Sequence, residues 1–367
     1  YYLLKPARDS LFLVKVSPEQ LPVVFIITAL ITAPVVLFYT KASNKLRLNK
    51  LILFTIGIII LNLIILRWLV QINHPSIYYL FYAWVSIYGA LTTSQFWLLA
   101  NSVYDASQAK RIFPLLGMAG ILGAFTGGEI TSLFVQSFGI STEDLLLFCV
   151  GFLFFLSFLV SMIWSMKSKR GFGIQESLRQ SRKSSVTLKK SFTAILGSRH
   201  LMLMAGMVAI TMMTATFIDY QFKTISFEYI SHESDLTAFL GKFYGRLSLA
   251  SLIIQMFFAY RIIRFIGVGG AIMLLPGTLL AGSIIMFMAP GLIAIAFLRG
   301  AEGSLKYSLD KTGRELLMLP LPLEVKKRTK MFMDIFVDRW FRGIAGGILL
   351  FCTMVLELSI RQLSFLL

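Results

Sequence analysis

Charged residues lie within stretches of the sequence that are otherwise apolar enough to cross a membrane. They are Arg8, Asp9, Asp219, Lys223, Lys242, Arg246, Asp338, Arg339 and Arg342. A charge at the bilayer centre costs at least about 2.5–3.5 kcal/mol, so such residues normally face the interior of a helix bundle or a water-filled path. Because cations outnumber anions among these positions, the pattern predicts a polar cavity that accepts an anionic small molecule.

Helical spacing divides the charges of the middle of the sequence into two kinds of pair. Asp219 and Lys223 are four residues apart, so they share one helix face and can neutralise each other. This spacing fits a purely structural pair as well as a functional one. Lys242 and Arg246 have the same spacing but the same sign, which is unfavourable unless an anion or acidic side chains lie opposite. They are therefore the better candidates for contact with a substrate.

The first apolar stretch carries two adjacent charges, Arg8 and Asp9, whose side chains diverge by about 100° on a helix. We expect them to find partners on other helices rather than to pair with each other. The side chains of Lys5 and Arg8 could instead extend to the membrane surface. The side chain of Asp9 cannot reach the surface from this depth, so its position favours the prediction of a polar cavity.

Toward the C terminus, Asp338 and Arg342 are also four apart and can pair along one helix face. Arg339 and Asp334 are then left to other partners. Further charged residues in predicted spans are Glu129, Arg299 and Glu302. They could form ion pairs between helices or line a transport path.

The composition explains why these charges are exceptional. Hydrophobic residues make up 57% of the chain and charged residues 14%, with a mean hydropathy of +0.77, whereas soluble domains carry about 25% charged residues. A membrane-spanning helix needs about 20 apolar residues. Such spans are predicted near 20–40, 51–71, 77–101, 113–138, 144–166, 201–228, 237–260, 268–289, 291–308 and 332–356, with partial spans at 1–16 and 361–367.

The ends of the chain indicate that the sequence is an excised domain, because it begins without Met and stops inside an apolar run. Completed at both ends, the pattern predicts an all-α membrane protein of twelve helices. Basic loops between the spans alternate with loops that contain no Lys or Arg. The basic set includes 41–50, 110–111, 167–199, 261–264 and 306–330, and we expect it to face the cytoplasm. We therefore expect the basic residues behind the net charge of +17 to orient the protein in the membrane and to contact the lipid bilayer, and not to bind nucleic acid.

A basic stretch with nine Lys or Arg residues, 167–199, divides the sequence into two six-helix halves, 1–166 and 200–367. The glycine pairs Gly127-Gly128 and Gly346-Gly347 occur at equivalent places in these halves, at an offset of 219 residues. This arrangement resembles the major facilitator superfamily, whose substrate site lies between the halves near the midplane.

Other motifs exclude several classes of function. Gly117, Gly120, Gly123 and Gly128 lie inside a span, so close helix packing explains them better than a dinucleotide-binding loop. There is no phosphate-binding loop, no Ser/His/Asp arrangement and no acidic cluster suited to magnesium. The two cysteines are isolated within spans. We expect neither an enzyme nor a bound metal or other cofactor.

Several segments together resemble the ATP/ADP translocase family, the nucleotide transporters of plastids and obligate intracellular bacteria. They are Leu4–Leu11, Phe96–Asn101, Ala109–Gly117, Lys306–Leu309, Arg314-Glu315, Pro320-Leu321, Asp334 and Arg342. In the first-helix and eleventh-helix motifs, Arg8 and Arg342 stand where the family usually has Lys. The resemblance implies a phosphate-side role for both arginines and a location in a bacterial inner membrane.

The sequence departs from the family at acidic positions. Val85-Ser86 lacks the fourth-helix acid, Asp219 is shifted by about two residues, and Lys242 stands where an acid usually follows Phe-Met-Gly. Some bacterial relatives join such a membrane region to soluble repeat or cyclic-nucleotide-binding domains.

Two functions remain. The first is a transporter of ATP/ADP-exchange type for a nucleotide or related phosphate, working by alternating access. The residues that contact the anion are then Arg8, Lys242, Arg246, Arg339 and Arg342, held apart in the empty state by Asp9, Asp219, Asp334 and Asp338. The second is a non-transporting sensor or anchor that serves attached soluble domains outside this chain.

Overall fold

The predicted spans are helices. The structure is a computed structural model that describes residues 1–45, 48–104, 106–169, 195–318, 333 and 337–366, and no β-strand occurs in these ranges. Most of the predicted basic linker, and Asp334, lie outside the described residues. The helices are α1 Leu4–Lys15, α2 Leu21–Lys45, α3 Leu48–Val70, α4 Pro75–Val103, α5 Ala106–Gln136, α6 Leu145–Lys169, α7 Arg199–Tyr229, α8 Glu233–Ile253, α9 Ala259–Met288, α10 Leu292–Leu305, α11 Lys311–Leu317, α12 Asp338–Met354 and α13 Ile360–Leu363.

Local sequence explains where the helical runs break. Ser17 and Pro18 separate α1 from α2, and the two helices meet at an angle of 114°. A π-helical turn, Ile254–Phe258, joins α8 to α9 without a loop. The prediction of a basic loop at 261–264 is wrong, because these residues belong to α9. The helix is instead kinked at Gly267, whose φ of 73° is accessible to glycine at little cost.

Five helical segments in the described part of the chain are long and apolar enough to cross a membrane, or six if the bent pair α1 and α2 counts as one span. They are 49–70, 111–136, 145–166, 199–229 and 233–288. The last contains 56 residues and covers two predicted spans on either side of Gly267. The chain is therefore an integral multi-pass membrane protein.

One end of the bundle gathers the connections 16–20, 137–144 and 230–232, and we call it the acidic end because it carries Glu19, Glu143, Asp144 and, at the start of α8, Glu233. Lys15 at the end of α1 lies 4.0 Å from Glu233 at the start of α8. Arg67 near the end of α3 donates hydrogen bonds of 3.0 and 2.7 Å to Asp144, which also accepts one from Ser141. These contacts tie α1, α3, α6 and α8 together at the same end.

Two pairs of helices, α5 with α8 and α2 with α12, cross closely at glycines. A Cβ added to Gly128 of α5 would collide with the carbonyl oxygen of Gly241 in α8 and lie 2.9 Å from Cα of Gly245. Likewise, a Cβ on Gly346 of α12 would lie 2.9 Å from the carbonyl oxygen of Pro22 in α2. One glycine of each pair of the internal repeat thus lies at a close crossing of two helices.

The packing prediction is wrong for the earlier glycines of α5. No described atom lies within 4 Å of a Cβ built on Gly117, Gly120 or Gly123. Close approach of α5 to α8 occurs at Phe125 and Gly128, in the part of α5 nearer the acidic end, since a Cβ on Gly245 of α8 would lie 2.9 Å from the carbonyl oxygen of Phe125. The crossing therefore requires glycine at that place and not along the whole helix.

Candidate functional site

A chain of alternating charges runs through the interior from α1 across α7 to α10. In order, its members are Arg8, Asp9, Lys223, Asp219, Arg299, Glu302 and Lys306. Every one of these side chains is at most 14% exposed. We call this set the ion chain. It brings together three of the residues predicted to form the site, Arg8, Asp9 and Asp219.

The ion chain begins with the two adjacent residues of α1. Arg8 donates hydrogen bonds of 2.9 and 2.6 Å to Oδ1 of Asp9, so the prediction that these side chains do not pair is wrong. The long arginine side chain bends back far enough to overcome their angular separation. Its remaining Nη1 donates to Ser86 of α4 at 2.8 Å, and the guanidinium lies 4.1 Å from the centre of the Tyr82 ring.

Asp9 also makes the expected contacts with other helices. Nζ of Lys223 in α7 lies 3.3 Å from Oδ1 of Asp9. Tyr244 of α8 donates a hydrogen bond of 3.0 Å to Oδ2 of the same carboxylate. Lys223 in turn donates a hydrogen bond of 2.7 Å to the hydroxyl of Tyr82 in α4. A single carboxylate therefore links α1 of the N-terminal half to two helices of the other half.

From Asp219 the chain continues into α10. Asp219 accepts from Lys223 at 2.7 Å, as the four-residue spacing predicts, and it also pairs with Arg299 at 2.9 Å. Arg299 contacts Glu302 as well, and Glu302 pairs with Lys306 at 3.3 Å. Asp219 and Lys223 thus belong to a larger network, which neither of the two interpretations of their spacing anticipates.

Lys306 is buried, and the prediction that it lies in a basic loop is wrong. It begins a π-helical turn, Lys306–Asp310, that continues α10. Lys306 follows Glu302 by four residues, so regular helical spacing places the two side chains on the same face. This spacing and its place in the Lys-Tyr-Ser-Leu segment are the sequence signals that set it apart from the other basic residues of that region.

Lys5 is a further cation beside the ion chain, and the sequence pattern alone did not single it out. Its ammonium nitrogen lies 3.4 Å from the centre of the Tyr244 ring, a cation–π contact. No carboxylate lies within ion-pair distance of Lys5 in the described part of the chain. Its position four residues before Asp9 could have indicated this side of α1.

The predicted cations of α8 lie apart from the ion chain. Lys242 donates a hydrogen bond of 3.0 Å to Gln136 of α5, and Arg246 pairs with Glu129 of α5 at 3.3 Å. The side chain of Arg246 is 69% exposed. Glu129 is an acidic side chain opposite this like-charged pair, as the spacing of the pair requires. It lies at the crossing of α5 and α8, however, and not in the ion chain.

The charges of α12 form a second, smaller group. Asp338 pairs with Arg342 at 3.3 Å along one helix face, which confirms that prediction, and it lies 3.8 Å from Arg339. Arg342 also interacts electrostatically with Glu302 and Lys306 of the ion chain. The two groups therefore share one electrostatic environment.

Taken with Lys5, the ion chain contains five cations and three carboxylates, an excess of two positive charges. The cations are Lys5, Arg8, Lys223, Arg299 and Lys306. A buried excess of one sign is costly unless an ion of the other sign approaches it. The arrangement is therefore chemically suited to bind an anion, and Arg side chains can contact phosphate with two parallel hydrogen bonds.

Comparisons with known proteins place the chain in a transporter family. Residues 59–297 match the model of the TLC ATP/ADP transporter family. The chain is 22% identical over 312 residues to ADP,ATP carrier protein 4 of Rickettsia felis, covering 75% of this chain and 60% of that protein. It is 23% identical over 303 residues to ADP,ATP carrier protein 1 of Chlamydia trachomatis, covering 74% and 57%. The chain thus spans about 60% of the length of the curated relatives it matches.

The fold has a solved counterpart. The crystal structure of the nucleoside transporter NupG superposes with a TM-score of 0.63 at 12% identity, covering all of this chain and 92% of NupG. The prediction of an all-α bundle of major facilitator type is confirmed. These proteins are carriers and transporters, in agreement with the prediction that the chain is not an enzyme. Since the family match covers well over half of the sequence, the chain belongs to the TLC ATP/ADP transporter family.

Proposed function

We propose that this protein moves a nucleotide-type anion across a bacterial inner membrane by alternating access, in the manner of ATP/ADP exchange. Its relatives are named ADP,ATP carriers, and its structural neighbour is a nucleoside transporter. The observation that carries the proposal is the excess of positive charge in the ion chain, which lies where the two halves meet. A phosphate group has the charge and the acceptor oxygens that such a site requires.

In the empty protein, the carboxylates of the ion chain keep its cations apart. Asp9 binds Lys223 across the halves, and Asp219 is shared between Lys223 and Arg299. An anion that takes over these cations weakens the hold of Asp9 on the C-terminal half. Because a ligand shifts a conformational equilibrium only through differential affinity, this exchange of partners is what couples binding to the motion of the halves.

The contacts between halves cluster toward the acidic end, where Ser10 of α1 meets Thr237 of α8 at 2.5 Å and Lys15 approaches Glu233. With the basic loops in the cytoplasm, the acidic end faces outward. The structure then represents the state that is closed to the outside. The halves in this proposal comprise 1–166 and 200–367, joined by the basic stretch 167–199.

The predicted site is revised in this proposal. Arg8, Asp9 and Asp219 remain part of it, with Asp338, Arg339 and Arg342 at its edge. Lys242 and Arg246 instead stabilise the crossing of α5 and α8. Lys5, Arg299 and Lys306 take their place as the cations nearest the anion.

Uptake of radiolabelled ATP and ADP by proteoliposomes tests the transport function, and Lys5→Gln tests the site. Because Lys5 has no carboxylate partner among the described residues, its loss strands no buried anion. A charge-assisted hydrogen bond contributes about 1.5–3 kcal/mol, so ATP affinity should fall about tenfold or more. Arg246→Gln, which removes an exposed cation that lies outside the ion chain, is the matched control and should bind ATP normally. Equal affinity in wild type and Lys5→Gln would remove Lys5 from the site.

The alternative is a membrane sensor or anchor that does not transport. One observation favours it: Arg8 is already satisfied by Asp9 and by Ser86, the residue that replaces the family's acid. Thermal unfolding of the purified protein in the presence of ATP, ADP, pyrophosphate and sulfate separates the two functions. A ligand that binds the folded state raises the unfolding temperature. Stabilisation by none of these anions would support the alternative.

A further inference from the structure

Tyr307 is the exposed member of the π-helical turn that carries Lys306. Its side chain is 57% exposed, whereas Lys306 and Ser308 on either side are buried. A π-helical turn changes the direction of the side chains that follow it, and such turns are frequent at functional sites. Tyr307 is therefore presented outward from a helix that is otherwise held inside the bundle by the ion chain.

The exposed ring lies beside charged groups. Its hydroxyl interacts electrostatically with Arg342 of α12, with Glu302 and Arg299 of α10, and with the neutral phenol of Tyr2, which precedes α1. Intramembrane charges face the bundle interior or a water-filled space. A tyrosine that is exposed and yet has charges of α10 and α12 as neighbours, together with a side chain that precedes α1, lies on such a space.

Unused hydrogen-bond donors lie near the same space. Nε of Arg299 is buried and has no hydrogen-bond partner among the described residues. Lys5, which interacts electrostatically with Arg299, contacts only aromatic rings in the described part of the chain. These hydrogen-bond donors have no acceptor, and they lie near an exposed aromatic ring. The combination suits a ligand with an anionic group at one end and a planar group at the other.

We propose that Tyr307 forms the base-binding wall of the anion site, with the planar heterocycle of a nucleoside di- or triphosphate stacked on its ring. The phosphates then extend toward Lys5 and Arg299. This inference depends on the proposed function and adds to it the reason why the site accepts a nucleotide in preference to a bare phosphate. Stacking of a base on an aromatic side chain changes affinity by about ten- to a hundredfold.

The test compares ATP with inorganic tripolyphosphate, which has the charges but no base. Binding of each to the purified full chain is measured by isothermal titration for wild type, Tyr307→Ala and Tyr307→Phe. Tyr307→Ala should weaken ATP binding at least tenfold and leave tripolyphosphate binding unchanged, and Tyr307→Phe should bind both like wild type. Tyr260→Ala, which removes a tyrosine of α9 that is 71% exposed, is the control and should change neither affinity. Tyr307→Leu replaces the alanine variant if thermal unfolding shows that the latter is misfolded.

Other outcomes overturn the inference. Unchanged ATP affinity in Tyr307→Ala, or equal losses for ATP and tripolyphosphate, would show that the ring does not contact the base. A wild-type protein that binds tripolyphosphate as tightly as ATP would show that no base subsite exists. A wild-type protein that binds neither compound would instead overturn the proposed function, and the base subsite with it.

Discussion

The ammonium nitrogen of Lys223 lies 3.3 Å from a carboxylate oxygen of Asp9, although the two residues stand on α7 and α1 and are 214 positions apart in the sequence. Both side chains are buried, at 1% and 0% exposure. Water and salt screen such a pair weakly, and the loss of either partner leaves an uncompensated charge. This pair joins α1 to α7 in the interior of the bundle.

Replacing Lys223 by Gln should strongly destabilise the protein. The substitution leaves Asp9 and Asp219 without the cation that they share. Breaking a buried ion pair from one side costs about 3–5 kcal/mol. The measurement is thermal unfolding of the purified protein in detergent, with Arg246→Gln as the control because that side chain is exposed and should have little effect.

The double variant Asp9→Asn/Lys223→Gln separates the pair from other effects. Removing both charges should recover part of the loss, since the double variant no longer contains a buried carboxylate at position 9 without Lys223. Residues in direct contact show interaction free energies of about 0.5–3 kcal/mol in such cycles. Strictly additive losses would mean that the two side chains do not interact.

Gly128→Ala should destabilise the crossing of α5 and α8. The new methyl group would collide with the carbonyl oxygen of Gly241, and backbone atoms on both sides leave no flexible side chain to move. Overpacking of this kind costs about 1–3 kcal/mol. Gly120→Ala on the same helix is the matched control, because nothing lies within 4 Å of its added Cβ. Alanine is the better helix former, so the control should be neutral or slightly stabilising.

Helical periodicity made part of this structure predictable. The spans follow from runs of apolar residues, and the pairs Asp219–Lys223 and Asp338–Arg342 follow from a spacing of four residues. These are local properties, since neighbouring turns of one helix carry both partners. The same reasoning correctly required an acidic partner opposite Arg246.

The ion chain was not predictable in this way, because its order depends on which helices are neighbours. Asp9 meets Lys223, and Asp219 meets Arg299, only after three helices have packed together. The pairing of Arg8 with Asp9 depends on rotamers, which helical angles do not determine. Links within one helix, such as that between Glu302 and Lys306, have the regular spacing of four residues, so it is the pairing between helices that the sequence does not reveal.

At the acidic end, the stability contributed by Asp144 should depend on pH. The hydrogen bond from Ser141, followed by that from Arg67, lowers the pKa of the Asp144 carboxyl below its usual value. The folded pKa is then below the unfolded pKa of about 4. Asp144 therefore stabilises the protein above about pH 4, and this contribution is lost as the pH falls through the folded pKa.

Asp144→Asn tests this dependence, since the amide retains an acceptor oxygen and loses the charge. Wild type should unfold at a higher temperature than the variant at pH 7, and the difference should shrink as the pH falls below about 4. Glu143, which lies 3.5 Å from Arg67, is present in both proteins, so its contact with Arg67 contributes equally to wild type and variant. A difference that stays constant over this range would exclude the charge of Asp144 as its source.

Joining Ser10 to Thr237 by a disulfide should arrest transport in the state closed at the acidic end. Their hydroxyl oxygens lie 2.5 Å apart, between α1 of one half and α8 of the other, and both residues are fully buried. Ser10→Cys/Thr237→Cys is made in a background in which the buried native cysteines, Cys149 and Cys352, are replaced. If the halves must separate here for outward opening, oxidation should abolish ATP uptake by proteoliposomes and reduction should restore it.

Each single cysteine variant should transport under both conditions, because it cannot cross-link the halves. ATP binding to the cross-linked protein should persist, since the ion chain lies deeper than the cross-link. Full ATP uptake by the cross-linked protein would show that the halves do not separate at the acidic end.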